Sequence, residues 1–532
     1  MNGASGVVRP LRVGVYNRFW ATAGGGEKFA GAIATALCHA HDVELVGHDD
    51  IDATTLAMLA DRLQLDLGGV AWRTVGPSSI EVEAASADYD VFINVSYGSS
   101  VRNRARHGLY VVHFPTIGAP RPRGWRRFGL RVVGRLAKIT AASLDVGHWT
   151  AGMYAPEPHG RFSHRWSDGD AVLQPPPVRQ LRLVLGTVRA AGATPVTAAV
   201  ESAKGEVLGR KSLARGRAGR SLPFAVLSLK LAEPAPSGAG SALRLVSPTR
   251  ESSSRPADRR RLGVSVLAVL GGPWYQRVLQ LLDQLLRAPG ADLSFLDSYQ
   301  QVVSNSAFTA RWVGQLWGVE SDILNPPVSA QPRGDKEPVI LHVGRFFPPE
   351  VGHSKGQLEL VRAWRELLAQ RDLPGWTLHL VGGCDDDGRG YLDQVRAEVG
   401  SLPVVLHVNA SGEELRGLFA RATIYWHGTG LGVDPDAYPE RMEHFGIATV
   451  EAMSAGAVPV AIGVAGQLEV FDDGVEGFHF HDLDGLVART AELIADPSRG
   501  AAMAQAGVLR AERYSEAAFE RRLRSLLDVL TG

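Results

Sequence analysis

The chain has 532 residues, enough for three or four domains of about 150 residues each and for more than one buried core. Its 56 basic and 56 acidic residues balance, which argues against a general nucleic-acid binder with its usual basic excess. The two cysteines, Cys38 and Cys384, are too far apart in sequence to indicate a disulfide framework or a zinc knuckle, and they fit a reducing compartment. No apolar run predicts a transmembrane helix or a secretory signal, so we expect a cytoplasmic protein.

The first part of the chain predicts a parallel α/β domain. An apolar run at residues 12–16 leads into the glycine loop Gly24-Gly25-Gly26-Glu27-Lys28, and a helical pattern follows over residues 29–39. Strand, glycine loop and helix in this order open a doubly wound domain. The loop lacks the G-x-G-x-x-G pattern, so nicotinamide binding is not expected. Further buried strands are predicted at residues 43–46, 91–95 and 110–113.

A change of pattern occurs between about residues 148 and 272. The helical period disappears, and short alternating runs punctuated by Pro, Gly and Ser replace it, until helical character resumes at Pro273. Because exposed loops tolerate insertions, we predict an all-β sandwich inserted into the first α/β domain. The alternating runs lie at residues 181–185, 196–201, 224–229 and 242–246.

A second α/β block follows the charged segment 333–338, which is the predicted linker. Its predicted strands lie at residues 377–381, 404–407, 423–426 and 458–462, and a helical pattern over residues 517–530 ends the chain. The predicted fold class is therefore α/β, with two facing Rossmann-like domains. The expected boundaries are 1–147 and 273–332 for the N-terminal domain, 148–272 for the inserted β-sandwich, 333–510 for the C-terminal domain, and 511–532 for a helix that packs back toward the N-terminal domain.

Two glutamates eight positions apart, Glu443 and Glu451, flank the most informative stretch. A helix that begins near Gly446 would point its free backbone N–H groups at an anion such as a phosphate. Glu443, just before the helix, could reach a neutral polyol, and Glu451, two turns into it, could hold a ribose diol. The alternative is an amphipathic helix with two solvated glutamates.

The stretch from Arg441 to Gly456 resembles glycosyltransferase family 4, which comprises retaining enzymes of the GT-B fold. Within it, Glu443-His444-Phe445-Gly446-Ile447 is similar to the dolichol-pathway α-mannosyltransferases and their bacterial relatives. Other segments are similar to the same group in the same order along the chain and leave the β-sandwich out. They are the glycine loop at 24–28, residues 113–117, residues 303–309 with 325–328, and residues 344–345 with 354–357.

This resemblance implies a nucleoside-diphosphate sugar as donor, bound mainly by the C-terminal domain, while the N-terminal domain takes the acceptor. Arg345 and Lys355 would neutralise the leaving diphosphate, the first as a bidentate fork and the second as a point charge. His113 would approach the donor sugar near the reacting carbon, and Glu443 would orient that sugar without acting as a base. The expected catalytic residues are His113, Arg345, Lys355 and Glu443, and the expected donor-binding residues are Gly25, Gly26, Arg345, Lys355, Phe445, Gly446, Ile447 and Glu451.

No metal or other cofactor is expected. The run Asp385-Asp386-Asp387 contains a D-x-D pattern, but it follows a predicted strand and precedes Gly388, as a solvated turn would.

Residues 121–138 are a candidate segment for acceptor or membrane binding. They carry seven basic and no acidic side chains interleaved with apolar ones. At a helical pitch this segment could lie on an anionic membrane surface, and the alternatives are a cationic groove for an anionic glycan or a solvated face. Trp166 in the β-sandwich could hold a sugar on its ring or belong to the sandwich core. The expected membrane or acceptor residues are Arg123, Trp125, Arg126, Arg127 and Arg131.

We therefore predict a retaining glycosyltransferase that moves a hexosyl unit, in particular mannosyl, onto a lipid-linked or cell-envelope glycan. It would work at the cytoplasmic face of the membrane, in peripheral contact with it, and would not bind nucleic acid. Two alternatives stay open: the same fold with a UDP-sugar donor such as UDP-glucose, and a catalytically silent glycan-binding scaffold.

Overall fold

The computed structural model describes residues 9–532 except 23, 116–124, 145, 147, 154–156, 160–161, 176, 187–195, 214–223, 232–241, 252–260, 287–292 and 349–353. Within the described residues, a seven-stranded sheet, a nine-stranded sheet and a six-stranded sheet form the framework.

The N-terminal domain begins with alternating strands and helices. Four of its first five strands overlap the predicted runs, and the strand at Ala71–Thr74 was not predicted. The glycine loop starts α1: Gly24 is its N-cap, and the Gly24 backbone N–H donates to Glu27 Oε2 at 2.7 Å. The elements are β1 (Arg12–Tyr16), α1 (Gly25–Cys38), β2 (Asp42–Gly47), α2 (Ala53–Leu63), β3 (Ala71–Thr74), α3 (Ser79–Ser86), β4 (Val91–Asn94), β5 (His107–Val112) and α4 (Trp125–Ile139).

A β-domain follows, built on antiparallel pairing. Its long strand β8 pairs with both halves of the sheet, which enclose a core that includes Leu173, Leu183, Val200 and Leu227. The short strands β14 and β15 pair with each other. The strands are β6 (His148–Met153), β7 (Glu157–His159), β8 (Phe162–Gln174), β9 (Gln180–Gly186), β10 (Val196–Ser202), β11 (Val207–Leu213), β12 (Phe224–Lys230), β13 (Leu243–Val246), β14 (Arg250–Glu251), β15 (Arg261–Leu262) and β16 (Ser265–Gly271).

The chain then returns to the first sheet through α5 (Trp274–Leu286), β17 (Gln301–Ser304), α6 (Ala307–Trp317) and β18 (Asp322–Ile323). The strand order is β18-β17-β5-β4-β1-β2-β3, and every neighbouring pair is parallel. Because β17 pairs directly with β5, the β-domain interrupts the N-terminal domain between two strands that are neighbours in its sheet.

The C-terminal domain has a parallel sheet of order β21-β20-β19-β22-β23-β24. Lys336, just before this sheet, donates from Nζ to the carbonyl oxygens of Ala420 at 3.0 Å and Ala455 at 2.8 Å, and so binds the C-terminal ends of two helices. The elements are β19 (Glu337–Val343), α7 (Gln357–Gln370), β20 (Thr377–Gly382), α8 (Arg389–Val399), β21 (Val404–Val408), α9 (Gly412–Arg421), β22 (Ala422–His427), α10 (Ile447–Ser454), β23 (Val458–Ile462), α11 (Gln467–Val470), β24 (Phe478–Phe480), α12 (Leu483–Ala495), α13 (Pro497–Ala511) and α14 (Glu516–Thr531).

The last helix, α14, packs on the N-terminal domain rather than on the domain that precedes it. Phe519 and Leu523 are buried in one cluster with Phe29 of α1 and the strands β1 and β4. The Phe519 and Phe29 rings meet edge to face with centroids 5.9 Å apart. The chain therefore passes between the two domains twice, once before the C-terminal sheet and once after it. These two crossings keep the carboxyl edges of the two parallel sheets near each other.

Candidate active site

A cavity of about 370 Å³ lies between the two domains. In open parallel sheets ligands bind beyond the carboxyl ends of the strands, and residues following β5, β17, β19 and β22 line this cavity. Eight residues expected from the sequence meet here. The N-terminal wall contains Gly25, Gly26, Phe29, His113, Asn305 and Pro326, and the C-terminal wall contains Val343, Lys355, His427, Glu443, His444, Phe445, Gly446, Ile447 and Ala448.

Lys355, Glu443 and His427 form the polar centre of the C-terminal wall. Lys355 Nζ donates to Glu443 Oε2 at 2.7 Å, and His427 Nε2 lies 3.3 Å from the same oxygen. Lys355 follows β19 and His427 ends β22, and because these strands are neighbours their carboxyl ends lie side by side. Glu443 comes from the loop before α10, so two loop residues and the last residue of a strand build this centre.

Glu443 is held in its ionised form. Burial raises its pKa, but the Lys355 ammonium and the hydrogen bond from His427 outweigh that effect and hold the pKa well below its usual range. An ionised carboxylate only accepts hydrogen bonds, so Glu443 is suited to orient hydroxyl groups in the cavity. The buried Nδ1 of His427 has no hydrogen-bond partner among the described residues.

Gly446 shapes the start of α10. Its φ of 108° is left-handed, and a Cβ there would lie 2.1 Å from Gln467 Nε2, so a side chain would not fit. This turn brings Ile447 and Ala448, the first two residues of α10, to the cavity wall. The N-terminus of the helix therefore faces the cavity with its free N–H groups and its positive end.

His113 stands on the opposite wall, directly after β5. Its Nε2 lies 2.7 Å from the backbone oxygen of Val95, and burial lowers its pKa, although this hydrogen bond acts in the other direction. In the neutral ring Nε2 is then the donor to Val95 and Nδ1 keeps its lone pair. A Cβ at Gly26 would lie 3.6 Å from His113 Cε1, so the glycine loop packs directly against this ring.

Arg345 does not line the cavity. Its Nη2 donates to Asp385 Oδ2 at 2.7 Å, and both side chains are more than half exposed. Asp385 also accepts the backbone N–H of Gly388, so the D-x-D run forms a capped turn that pairs with the guanidinium outside the cavity lining. No group of three or more His, Cys, Asp or Glu side chains in the described part of the chain is arranged to hold a metal ion.

Glu451 also lies outside the cavity lining, one turn beyond Ile447 on α10. It is half-buried, and Gln331 Nε2 approaches its Oε1 at 3.5 Å. Burial raises its pKa to about 7, and Lys28 on α1, across the cleft, acts in the opposite direction.

Contacts between the domains in the described part of the chain hold the cleft in this geometry. The rings of His444 and Phe114 stack with centroids 4.2 Å apart and an angle of 10° between their planes. The Glu469 carboxylate accepts the backbone N–H groups of Ala307 at 2.8 Å and Phe308 at 3.2 Å, so a C-terminal-domain side chain caps α6 of the N-terminal domain.

The predicted basic segment is helical from Trp125 onward as α4. Arg123 lies outside the described residues, as do the side chains of Trp125, Arg126 and Arg127, while Arg131 is exposed. Helix α5 packs beside α4 through Val133, Ala137 and Leu279. Both helices leave apolar side chains in solvent: Phe128, Val132, Leu136 and Ile139 on α4, and Trp274, Tyr275, Val278, Leu281 and Leu282 on α5. No helix in the described part of the chain is long and apolar enough to cross a membrane.

Trp166 is 5% exposed on β8, and its ring meets His164 edge to face at 5.4 Å. It belongs to the buried part of the β-domain, so its ring offers no open face to a sugar.

Sequence reasoning missed His427 and the apolar face of α5. His427 directly follows the predicted strand at residues 423–426, much as His113 ends the predicted strand at residues 110–113. The amphipathic pattern after Pro273 carried the signal for α5.

The comparisons with known proteins agree with this architecture. Residues 329–510 match the family described as glycosyl transferases group 1. The crystal structure of Anabaena HepE in complex with UDP and glucose aligns with a TM-score of 0.51 and 13% identity, covering 98% of this chain and 100% of that one. A glycosyltransferase from Rickettsia africae aligns with a TM-score of 0.51 and 10% identity over 98% and 99% of the two chains. The predicted fold is therefore confirmed as GT-B.

Sequence relatives narrow the class. The chain is 30% identical over 291 residues, 51% of its length, to the GDP-mannose-dependent α-(1-6)-phosphatidylinositol monomannoside mannosyltransferase of Mycolicibacterium smegmatis, and it spans 69% of that protein. It is 29% identical over 187 residues to the GDP-Man:Man(3)GlcNAc(2)-PP-Dol α-1,2-mannosyltransferase of Dictyostelium discoideum, but that match covers 32% of this chain and 35% of the relative. The chain belongs to the group 1 glycosyl transferases.

Proposed function

We propose that this protein transfers a mannosyl unit from GDP-mannose, with retention of anomeric configuration, to a lipid-linked or cell-envelope glycan. The observation that carries the proposal is the shared oxygen of Glu443, which accepts from Lys355 at 2.7 Å beside a helix N-terminus and opposite His113. This wall combines positive charge for a leaving diphosphate with an ionised acceptor for sugar hydroxyls. GDP-mannose is the donor in the names of the two sequence relatives described above.

In the proposed complex the diphosphate lies between Lys355 and the start of α10. Fixed cations and N–H groups aimed at a leaving diphosphate stabilise the charge that develops in the transition state. Arg345 would join them by exchanging Asp385 for a phosphate oxygen, since an exposed ion pair is held by little free energy. Because protein groups supply this charge in the proposal, addition of EDTA should leave the rate unchanged.

The sugar would lie between Glu443 and His113. The low pKa of Glu443 suits a hydrogen-bond acceptor and not a general base, because a base needs a pKa nearer the working pH. The neutral His113 would present its Nδ1 to a sugar hydroxyl, and Gly25 and Gly26 allow the α1 loop to approach the same sugar. Glu451, with its raised pKa, would accept from the ribose diol.

We place peripheral membrane contact on the surface formed by α4 and α5. Trp274 is 72% exposed, Phe128 is 70% exposed, and the basic side chains of Arg131, Arg135 and Lys138 are exposed on α4. Apolar side chains flanked by cations favour the surface of an anionic membrane, where a lipid-linked acceptor would be met.

The test is thermal unfolding of the purified protein with GDP, UDP, ADP and their sugar conjugates. A ligand at 100 times its Kd stabilises the folded state by about 2.7 kcal/mol, enough for a clear shift in Tm. The proposal expects the largest shift with GDP and GDP-mannose and its loss in Lys355→Ala. A shift with UDP and UDP-glucose alone would show that the donor is a UDP-sugar instead of GDP-mannose. No shift with any nucleotide would favour a glycan-binding scaffold.

A further inference from the structure

A second cavity, of about 70 Å³, lies between the N-terminal domain and the β-domain, away from the donor cavity. The N-terminal domain contributes Arg18, His48, Ser79 and Ser100, and the β-domain contributes Asp168 together with Gly152 and Met153. Neither wall alone forms this pocket, so it exists only because the β-domain is inserted where it is.

The pocket lies on the same sheet edge as the donor cavity. Arg18 follows β1 and His48 follows β2, whereas His113 follows β5, and the sheet order is β5-β4-β1-β2. At about 4.8 Å per strand, the pocket is roughly 10–14 Å from His113. A ligand that reaches the donor cavity along this edge would therefore pass the β-domain.

Tyr97 and Gly98, which follow β4, connect the two cavities. A small depression of about 10 Å³ shares His113 with the donor cavity and Gly98 with the second cavity. Tyr97 is 41% exposed, and its ring centroid lies 6.4 Å from that of His113. An exposed tyrosine ring at this position offers a stacking surface to a sugar.

The charged groups of the pocket are held in place before any ligand binds. Arg18 Nη2 donates to the backbone oxygen of Tyr97 at 3.0 Å, and its guanidinium lies 4.5 Å from the Phe19 ring centroid. Asp168 Oδ1 accepts the Asp170 N–H at 3.0 Å. Gly152, with a φ of 68°, lets β6 pass beside Asp168, since a Cβ there would lie 2.8 Å from Asp168 Oδ1.

The two walls carry opposite charges, Arg18 on one and Asp168 on the other, and this favours a neutral ligand that both donates and accepts hydrogen bonds. An anion would meet Asp168, and a cation would meet Arg18, whereas a sugar can accept from the guanidinium and donate to the carboxylate. The serine hydroxyls of the pocket can serve either role. A volume of about 70 Å³ holds roughly two water molecules, so the pocket suits the hydroxyl groups on one edge of a neutral hexose residue rather than the whole ring.

We propose that this cavity is an acceptor subsite, in which Asp168 of the β-domain and Arg18 of the N-terminal domain bind a hexose residue of the acceptor glycan beyond the one that receives the transferred sugar. The β-domain thereby extends acceptor recognition away from the reaction centre. This inference rests on the proposed function, because it takes the ligand to be the acceptor glycan.

The test is saturation-transfer NMR titration of the intact protein with α-linked mannotriose and with methyl α-mannoside, in saturating GDP so that the donor site is occupied. The wild-type protein should bind the trisaccharide at least about tenfold more tightly than the monosaccharide, because hydrogen bonds to charged groups are the stronger ones. Asp168→Asn, which keeps the shape of the side chain and its acceptor for the Asp170 N–H, should remove that advantage. Ser100→Trp, which fills the pocket from the opposite wall, should do the same.

Asp170→Asn is the matched control, since Asp170 lies two residues away on the same strand and pairs with Arg244. It should keep the wild-type preference. Trisaccharide binding that is no tighter than monosaccharide binding, or that survives Asp168→Asn unchanged, would overturn the subsite. The GDP-dependent shift in Tm is recorded on the same samples, so a protein that binds GDP but shows no trisaccharide preference rejects the subsite and keeps the proposed donor site.

Discussion

Lys355 Nζ lies 2.7 Å from Glu443 Oε2, and His427 Nε2 approaches that same oxygen at 3.3 Å. The three side chains come from different segments of the chain, and their pairing fixes Lys355 at the cavity wall before a donor arrives. Preorganised charge of this kind needs no rearrangement when the leaving group departs. In the proposed complex Lys355 contacts the leaving diphosphate and Glu443 contacts the sugar. Substitutions of the two residues should therefore have different effects on nucleotide and sugar binding.

Removal of the Lys355 ammonium should affect both donor binding and turnover. We expect Lys355→Ala to lower kcat/KM for GDP-mannose by about 100- to 1,000-fold, as loss of a transition-state donor does. Steady-state kinetics measure this. Lys204→Ala, at an exposed turn of the β-domain, is the control and should match the wild type. Equal rates in the two variants would contradict the role of Lys355.

Neutralisation of Glu443 should weaken binding of the sugar without weakening binding of the nucleotide. Glu443→Gln keeps the size of the side chain and leaves Lys355 without its opposing carboxylate, so GDP should bind at least as tightly as in the wild type. The extra affinity for GDP-mannose over GDP should disappear, because the ionised acceptor for the sugar hydroxyls is lost. Isothermal titration with both ligands measures this, and loss of GDP binding itself would show that Glu443 holds the nucleotide.

Asp385 should compete with the donor for Arg345. The pair is exposed and worth up to about 1 kcal/mol, so Asp385→Asn should tighten GDP binding by up to about fivefold. Arg345→Ala should weaken it. Asp386→Asn is the matched control, because Asp386 pairs with Arg389 instead. A Kd for GDP that is unchanged in Arg345→Ala would leave Arg345 as a surface residue.

Glu451 should make donor binding depend on pH. Its pKa of about 7 means that the carboxylate is mostly protonated at pH 6 and mostly ionised at pH 8. If the ionised form accepts from the ribose diol, GDP affinity should rise by about tenfold between those two values, in proportion to the ionised fraction. The same titration of Glu451→Gln measures the effect of nucleotide phosphate ionisation alone, and it should show no such rise. A parallel pH profile in both proteins would remove Glu451 from the donor site.

The α4–α5 surface should bind anionic vesicles. Trp274→Ser and Phe128→Ser should each weaken co-sedimentation with phosphatidylserine-containing vesicles by about tenfold or more, since burial of one large apolar side chain contributes about 1.5–3 kcal/mol. Met58→Ser on α2 removes a side chain of similar exposure, 62%, from another surface and should leave binding unchanged. Equal binding by all three variants would exclude this surface.

The sequence predicted most of the strands, because strand positions follow from local periodicity, but it missed the exposed strand β3. The predicted strand at residues 458–462 coincides with β23, and α10 begins directly after Gly446 as expected. It did not predict the partner of Arg345, because a long exposed side chain selects among neighbours that only the tertiary fold brings together. The sequence also did not predict the pocket at Asp168, because this pocket forms between the ends of β1 and β2 and a strand far along the chain.

Time-resolved ¹H NMR of the purified protein with GDP-mannose and an α-mannoside acceptor tests the proposed transfer itself. We expect release of GDP together with a new mannosidic linkage whose anomeric proton has the α configuration, and loss of both signals in Lys355→Ala. A β-linked product would contradict retention. Intact GDP-mannose, with turnover of UDP-glucose in a parallel sample, would contradict the proposed donor.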